Sequence, residues 1–203
     1  MTNSSQTART DTAERMLDVA ERLVQTRGFN GFSYADIASA LGVTKASLHY
    51  HFPSKAELGL RLIERYCESL FGRTLRDLDA SGVDAHTKLQ TYVDLYAGLL
   101  HDNRMCLCGM LAADYATLPA PMQLAVTQFF AANEVWLAGI LDTGRDAGEL
   151  DFAGDPLEEA RLLVGALEGT MLVARSFGDP ARFKMTTDRL LFSLRANERV
   201  ANP

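Results

Sequence analysis

The residues best suited to chemistry lie between positions 33 and 55, where hydroxyl, imidazole and ammonium groups stand among small side chains. Such groups bind phosphate oxygens, and small side chains let a helix approach base edges closely in a major groove. Thr44, Lys45, Ala46 and Ser47 are therefore candidates for reaching base edges. The other candidates for a nucleic-acid interface, most of them suited to phosphate contacts, are Ser33, Tyr34, His49, Tyr50, His51 and Lys55.

Short helices with clear start signals are predicted to hold these residues. Ser33 followed by Asp36 forms a capping-box pair, Thr44 can cap a further helix, and Gly42 supplies the turn between them. Helices of roughly seven to nine residues are marginal in isolation, so they must pack on each other and on the helix before them. This predicts a helix-turn-helix with a small apolar core. The expected core residues are Ile37, Leu41, Leu48, Phe52 and Leu58.

Helical periodicity continues from residue 11 to the end of the chain, and no segment alternates with period two for long enough to predict a strand. We therefore predict an all-α fold of about nine helices. One helix is expected to run from Ser54 to about residue 78 and to leave the helix-turn-helix without a flexible linker. The predicted organisation is a polar, disordered tail (1–9), a DNA-binding domain (10–70) and a second helical domain (71–203).

The acidic net charge does not exclude a nucleic-acid partner. The chain carries a formal charge of -6, but residues 1–60 hold six basic and six acidic side chains, so the excess lies beyond them. A protein that docks one end on DNA needs a locally tolerable potential and not a basic total. The charge distribution therefore permits DNA binding without predicting it.

Motifs typical of enzymes, metal sites and membrane proteins are missing from the sequence. There is no phosphate-binding loop, no His-Glu-x-x-His and no nucleophile elbow, and two of the four histidines, His49 and His51, lie in the helix-turn-helix. No apolar run approaches the roughly 18 residues of a membrane-spanning helix, and residues 1–9 lack the apolar core of a signal peptide. Three cysteines, an odd number, fit a reducing cytoplasm. We expect a cytoplasmic protein that is not an enzyme and needs no cofactor, metal or membrane.

The segment from Phe32 to Lys55 closely resembles the DNA-binding signature of the TetR family of transcriptional regulators. The resemblance implies that Ser33–Leu41 is the first helix of the motif and Thr44–Phe52 the recognition helix. His49 departs from the family, which usually has a tyrosine there, although histidine can also donate to a phosphate. The resemblance covers about residues 10–70, and the matching positions are Ile37-Ala38, Gly42-Val43, Leu48, His51-Phe52, Lys55 and Leu58.

This resemblance implies a repressor that binds a palindromic operator in double-stranded DNA as a homodimer and is released by a small-molecule inducer. A two-fold dimer suits a palindrome, since each subunit reads one half-site. The resemblance also implies a four-helix interface built from the last two helices of each subunit. Gly165 and Gly169, one helical turn apart, would allow close helix approach there. The candidate interface residues are Leu162, Gly165, Gly169, Leu190, Leu191 and Leu194.

The stretch from Met105 to Asp114 resembles the start of the sixth helix in a TetR subgroup. Some members of that subgroup sense electrophiles through a cysteine, and others bind small organic ligands reversibly. Cys106 occupies the position of that cysteine, at a helix N-terminus where a thiol gains thiolate character. Both a sensor role and plain packing stay open for Cys106, and thiol alkylation followed by a DNA-binding assay would separate them. Cys108 points to the opposite side of the helix and is expected to be an inert core residue.

A reversible ligand is expected to meet polar groups on otherwise apolar helix faces. Aromatic side chains on such faces are also common in plain cores, so both interpretations stay open for them. The candidate ligand contacts are Tyr92, Tyr96, Cys106, Met110, Asp114, Tyr115, Trp136, Glu168 and Arg175.

Overall fold

The computed structural model of the chain describes residues 2–68 and 72–196, with side chains from residue 11 onward. Within these ranges the chain forms α-helices joined by short turns, and the only extended pairing is one isolated antiparallel bridge between Leu150 and Arg195. The all-α prediction is confirmed. The ten helices are α1 (Thr2–Arg27), α2 (Tyr34–Leu41), α3 (Lys45–His51), α4 (Lys55–Tyr66), α5 (Gly72–Ala80), α6 (Ala85–His101), α7 (Leu107–Ala113), α8 (Ala120–Asp146), α9 (Pro156–Phe177) and α10 (Ala181–Ser193).

Two details of this layout differ from the sequence expectation. The helix expected from Ser54 to about residue 78 is described as two helices, since α4 ends at Tyr66, two π-helical residues follow it, and α5 begins at Gly72. This division accounts for the ten helices of the described residues in place of about nine. At the N-terminus α1 begins at Thr2 and so includes residues 2–9. Disorder of that segment stays a prediction.

The described residues form two compact units. Among the described residues, the first unit comprises 2–68 and 104–128, and the second comprises 72–103 and 129–196. Residues 104–128 thus group with the N-terminal helices, whereas the sequence analysis assigns everything after residue 70 to another domain. The physical reason is that α7 packs against α1 and α4 through its apolar side chains. The core of the first unit contains Met16, Leu17, Ala20, Val24, Ile37, Leu48, Leu58, Leu62, Ile63, Tyr66, Leu107, Cys108, Leu111 and Met122.

In the second unit α9 packs against both α10 and α6. Local signals set the ends of α9: the Asp155 carboxylate accepts from the amides of Leu157 and Glu158, Pro156 opens the helix, and Gly178 closes it at a φ of 62°. The core of this unit contains Leu89, Tyr92, Val93, Tyr96, Leu99, Phe129, Leu137, Ile140, Leu141, Leu163, Leu167, Met171, Phe183, Leu191 and Leu194.

By length and composition alone, α8 could also cross a membrane. Its buried residues instead recur at intervals of three and four, which is the pattern of a helix with one face in a protein core. These buried residues are Met122, Val126, Phe129, Asn133, Leu137, Ile140 and Leu141. The helix therefore serves as a core element in the described structure.

Candidate functional sites

The helix-turn-helix is defined by the predicted caps. The amide and hydroxyl of Ser33 both donate to the Asp36 carboxylate, at 2.8 and 2.7 Å, and these bonds hold the pKa of Asp36 below its usual value. Gly42 adopts a φ of 67° directly after α2, a left-handed conformation that suits glycine. The Thr44 hydroxyl accepts from the Ser47 amide at 3.2 Å and caps α3. The turn and both short helices are therefore specified by neighbouring residues.

The helix α3, which is expected to be the recognition helix, turns most of its surface to solvent. Leu48 is its one buried residue, whereas Thr44, Lys45 and Ala46 are exposed at its N-terminal end. Tyr50 is 63% exposed, and its ring lies edge-on to His51 at 5.3 Å between centroids. Candidates for base and phosphate contacts are therefore accessible to solvent both at the N-terminal end of α3 and, through Tyr50, near its C-terminal end.

Two other phosphate candidates are engaged within the protein. Tyr34 is buried, and its hydroxyl donates to the Phe52 carbonyl at 2.7 Å. Burial, together with the charge of Glu57, raises the pKa of Tyr34 to about 12. His49 lies on the Tyr34 ring at 4.8 Å between centroids, and its Nδ1 is 3.2 Å from the Pro53 carbonyl. In the structure Tyr34 joins α2 to the end of α3, so phosphate contact would require its hydrogen bond to break.

Lys55 is also occupied by internal contacts. Its ammonium donates to the carbonyls of Phe29 and Phe32, each at 2.5 Å, and lies 4.6 and 4.2 Å from the centres of their rings. Partial burial lowers its pKa. From its position at a helix start, this ammonium is expected to face a phosphate. In the structure the Lys55 ammonium instead contacts the loop between α1 and α2.

Three of the ligand candidates come together in the second unit. The Tyr92 hydroxyl is 3.2 Å from that of Tyr96 and donates to Asn133 Oδ1 at 3.0 Å, and the ring of Tyr92 lies 5.6 Å from that of Trp136. The Trp136 indole donates to Asp79 at 3.1 Å. Asn133 is buried and was missed by the sequence analysis, although an amide on an apolar helix face is a recognisable signal. We call Tyr92, Tyr96, Asn133 and Trp136 the aromatic–amide cluster.

Other ligand candidates lie in the first unit or on α9. Cys106 is fully buried as the N-cap of α7, where its Sγ accepts from the Gly109 amide at 3.5 Å and lies 3.9 Å from the Tyr66 hydroxyl. Cys108 is fully buried as expected. Met110 is half-buried, and the Asp114 carboxylate accepts hydrogen bonds from backbone amides of the loop after α1. The remaining candidates are Tyr115, which is exposed, and Glu168 and Arg175, which are half-buried along α9.

The candidate dimer residues differ in exposure, with Leu162, Gly165 and Gly169 exposed, Leu190 half-buried, and Leu191 and Leu194 buried. Leu162 is 55% exposed, and added Cβ atoms at Gly165 and Gly169 would meet open space. Leu191 and Leu194 are each 2% exposed. These two leucines belong to the core of their own unit, because the register of α10 turns them inward. Besides the candidate Leu162, the exposed large apolar side chains of α9 and α10 are Leu172, Val173, Phe177, Met185 and Phe192.

Comparison with known proteins places the chain in context. The family model described as "Bacterial regulatory proteins, tetR family" matches residues 16–62, and the model "Tetracyclin repressor-like, C-terminal domain" matches residues 85–190. The transcriptional repressor NemR of Escherichia coli K12 is 26% identical over 173 residues, which cover 82% of this chain and 87% of NemR.

Solved structures agree in fold over nearly the whole length. A TetR-family regulator from Agrobacterium tumefaciens has a TM-score of 0.89 and 31% identity, covering 93% of this chain and 100% of that one. A TetR regulator from Legionella pneumophila has a TM-score of 0.80 and 33% identity, covering 90% of this chain and 96% of that one.

Proposed function

This chain belongs to the TetR family of transcriptional regulators, and we propose that it is a ligand-responsive repressor. It is a DNA-binding regulator and not an enzyme. In the proposed function a cytoplasmic homodimer binds a palindromic operator, and a small-molecule inducer releases it.

The observation that carries the DNA-binding half of the proposal is the surface of α3. Its N-terminal residues are small or polar and face solvent, while Leu48 alone anchors the helix in the core. A recognition helix needs this arrangement, because its N-terminal side chains must reach base edges while the apolar side holds it on the protein. Lys45 and Tyr50 are the exposed side chains with the longest reach.

The exposed apolar side chains of α9 and α10 support the homodimer. An exposed apolar patch of this kind is typical of a protein interface. Phe177 and Phe192 are 63% and 61% exposed, and the open glycines on α9 would let a partner helix approach closely. A two-fold dimer would present its recognition helices to half-sites about 34–36 Å apart.

The aromatic–amide cluster supports an inducer site in the second unit. Its hydroxyls and amide are buried among apolar side chains, and small-molecule sites typically combine apolar walls with a few placed polar groups. An inducer acts by its differential affinity for the DNA-competent and DNA-incompetent states of the dimer. Cys106, Met110, Asp114, Glu168 and Arg175 stay further candidates for ligand contact.

Selection of DNA from a randomised duplex library with the purified full chain tests this function. We expect an inverted repeat to be enriched and two copies of the chain to bind each duplex in sedimentation experiments. A compound library screened for release of the protein from that duplex then tests the inducer. Failure to enrich any sequence, or enrichment of a site without inverted symmetry, would contradict the proposed repressor.

A further inference from the structure

The loop between α1 and α2 is held by an acidic side chain from α7. Asp114 is the C-cap of α7, and its Oδ2 accepts from the amides of Phe29 at 2.7 Å and Asn30 at 3.3 Å. Both hydrogen bonds are charge-assisted, because the acceptor is a carboxylate oxygen, and such bonds are stronger than hydrogen bonds between neutral groups. A helix that lies far along the sequence thereby fixes the backbone where the helix-turn-helix begins.

Lys55 and Thr117 also form hydrogen bonds with this loop. Lys55, at the start of α4, donates to the carbonyls of Phe29 and Phe32, so residue 29 is held through both its amide and its carbonyl. The Asn30 side chain donates to the Thr117 hydroxyl at 2.8 Å, just beyond α7. The charges of Lys55 and Asp114 also attract each other, which favours the charged lysine. We call these contacts of residues 28–32 the α7 latch.

The backbone conformation at Gly28 allows the Asp114 carboxylate to approach the loop closely. Gly28 adopts a φ of 82°, and a Cβ atom at this position would come within 3.0 Å of Asp114 Oδ2. Only glycine combines that conformation with that distance at low cost. Phe29 and Phe32 are buried, so the loop is anchored by its side chains as well as by its backbone.

The latch leads directly to the recognition helix. Phe32 is followed by Ser33, the N-cap of α2, and Tyr34 of α2 donates to the Phe52 carbonyl at the end of α3. Because α3 has only one buried residue of its own, its orientation depends on these attachments. A change in the loop therefore passes through α2 to α3.

We propose that Asp114 is a positioning residue for DNA recognition, which fixes the helix-turn-helix on α7 through the amides of Phe29 and Asn30. This inference rests on the proposed DNA-binding function. It gives Asp114 a role other than the ligand contact expected from the sequence. Loss of the Asp114 carboxylate would release the loop and is expected to lower specific affinity for DNA.

The test compares Asp114→Ala and Asp114→Asn with the unaltered chain on two duplexes, the selected operator and a scrambled duplex of equal length. Asp11→Asn is the matched control, because it removes an exposed carboxylate from the same unit. Affinities are measured at a temperature at which circular dichroism shows every variant to be folded. Hydrogen exchange is followed at the amides of residues 29–34, in α3 and in α9.

For Asp114→Ala we expect operator affinity to fall about tenfold or more, because a charge-assisted contact is lost, with scrambled-duplex affinity changed by less than about threefold. Exchange should rise at residues 29–34 and in α3 but not in α9. Asp114→Asn keeps an acceptor oxygen of the same shape, so we expect a smaller loss in the same direction. This variant decides the question if the alanine variant does not fold.

The outcomes separate the two proposals. If the unaltered chain selects no sequence, the proposed function fails whatever Asp114 does. If the unaltered chain binds its operator and the folded Asp114 variants bind equally well, the positioning role is overturned. Equal losses on the operator and the scrambled duplex would also overturn it, because they would indicate a general effect on charge or folding.

Discussion

At the scale of single residues, some side chains around α3 are exposed to solvent and others are hydrogen-bonded within the protein. Thr44, Lys45 and Ala46 are exposed, whereas Tyr34 and Lys55 are tied to backbone carbonyls. A hydroxyl or ammonium that already has a buried partner loses that bond when it turns to a phosphate. Direct DNA contact is therefore expected mainly from the exposed N-terminal end of α3 and from Tyr50.

Replacement of Lys45 and Tyr50 together by alanine should abolish operator binding. Each contact to a base or phosphate contributes about 1–3 kcal/mol, so a loss of about a hundredfold or more is expected. Both side chains are exposed, and helicity and dimerisation should stay unchanged. Fluorescence anisotropy with the selected duplex measures the affinity, and Arg76→Ala, an exposed cation of the second unit, is the control. Unchanged affinity in the double variant would show that α3 is not the recognition helix.

Tyr34→Phe should lower stability more than it alters DNA contact. Removal of the hydroxyl leaves the Phe52 carbonyl without this donor and costs about 1–2 kcal/mol in the free energy of unfolding. The pKa of Tyr34 is raised to about 12, so the un-ionised side chain stabilises the fold below about pH 10. That stabilisation is lost as the pH rises from about 10 to about 12. Urea unfolding over this range should show a shallower decline for the variant than for the unaltered chain, and parallel declines would refute this account.

Burial of Cys106 bears on whether the protein senses electrophiles. Cys106 and Cys108 are fully buried, whereas Cys67 is half-buried. Because alkylation requires access to the thiol, iodoacetamide should label Cys67 first in the native protein, as followed by mass spectrometry. Cys106→Ser should then leave release by a reversible inducer intact. Rapid labelling of Cys106 together with loss of operator binding would instead support the covalent sensor.

At the scale of helices, α9 and α10 each carry one face for their own core and one for solvent. Met171 and Phe183 are buried, whereas Val173 and Met185 are 51% and 68% exposed. Helical geometry places such residues on different sides although they lie close in the sequence. The exposed side of the pair is the surface we assign to the partner subunit.

Gly169→Leu should produce monomers. An added Cβ atom at this exposed position meets nothing within 4 Å in the chain, so the subunit should fold normally. At a close helix–helix contact the same side chain would cost about 1–3 kcal/mol in each copy through overpacking. Sedimentation should show dissociation, and operator binding should be lost with it. Gly139→Leu on α8 has equally open surroundings and is the control. A fully dimeric Gly169→Leu protein would place the interface elsewhere.

At the scale of the whole molecule, an acidic chain must bind an acidic polymer. The net charge is -6, yet residues 1–60 are balanced, so repulsion from the remainder is offset only by local contacts with the phosphates. Release of counterions from DNA should supply much of the affinity, as in other proteins that contact phosphates.

Operator affinity should therefore fall steeply with salt. The logarithm of the binding constant is expected to decrease linearly with the logarithm of the salt concentration, by about 0.9 for each phosphate contact. Lys45→Ala should reduce that slope by about one contact in each subunit. Anisotropy titrations over a series of sodium chloride concentrations provide the measurement. A slope near zero would exclude phosphate contacts as the basis of binding.

The sequence by itself determined the features that depend on neighbouring residues. The pairs Ser33 with Asp36, Thr44 with Ser47, and Asp155 with Leu157 set helix starts through bonds that span two or three positions. Apolar periodicity likewise determined that the fold is all-α, because the faces of a helix follow directly from residue spacing. These signals, with the resemblance at residues 32–55, were sufficient to predict the helix-turn-helix and the family.

Only the tertiary structure decided the partners of polar groups that are distant in the sequence. Asp114 binds amides 84 and 85 residues away, and Tyr92 meets Asn133 across 41 positions. Periodicity also could not decide that Leu191 and Leu194 face their own core, because either side of an apolar helix can be the buried one until its neighbours are in place. Hydrogen bonds between helices depend on how the helices pack, and neighbouring residue types in the sequence do not determine that packing. The α7 latch is therefore visible only in the folded chain.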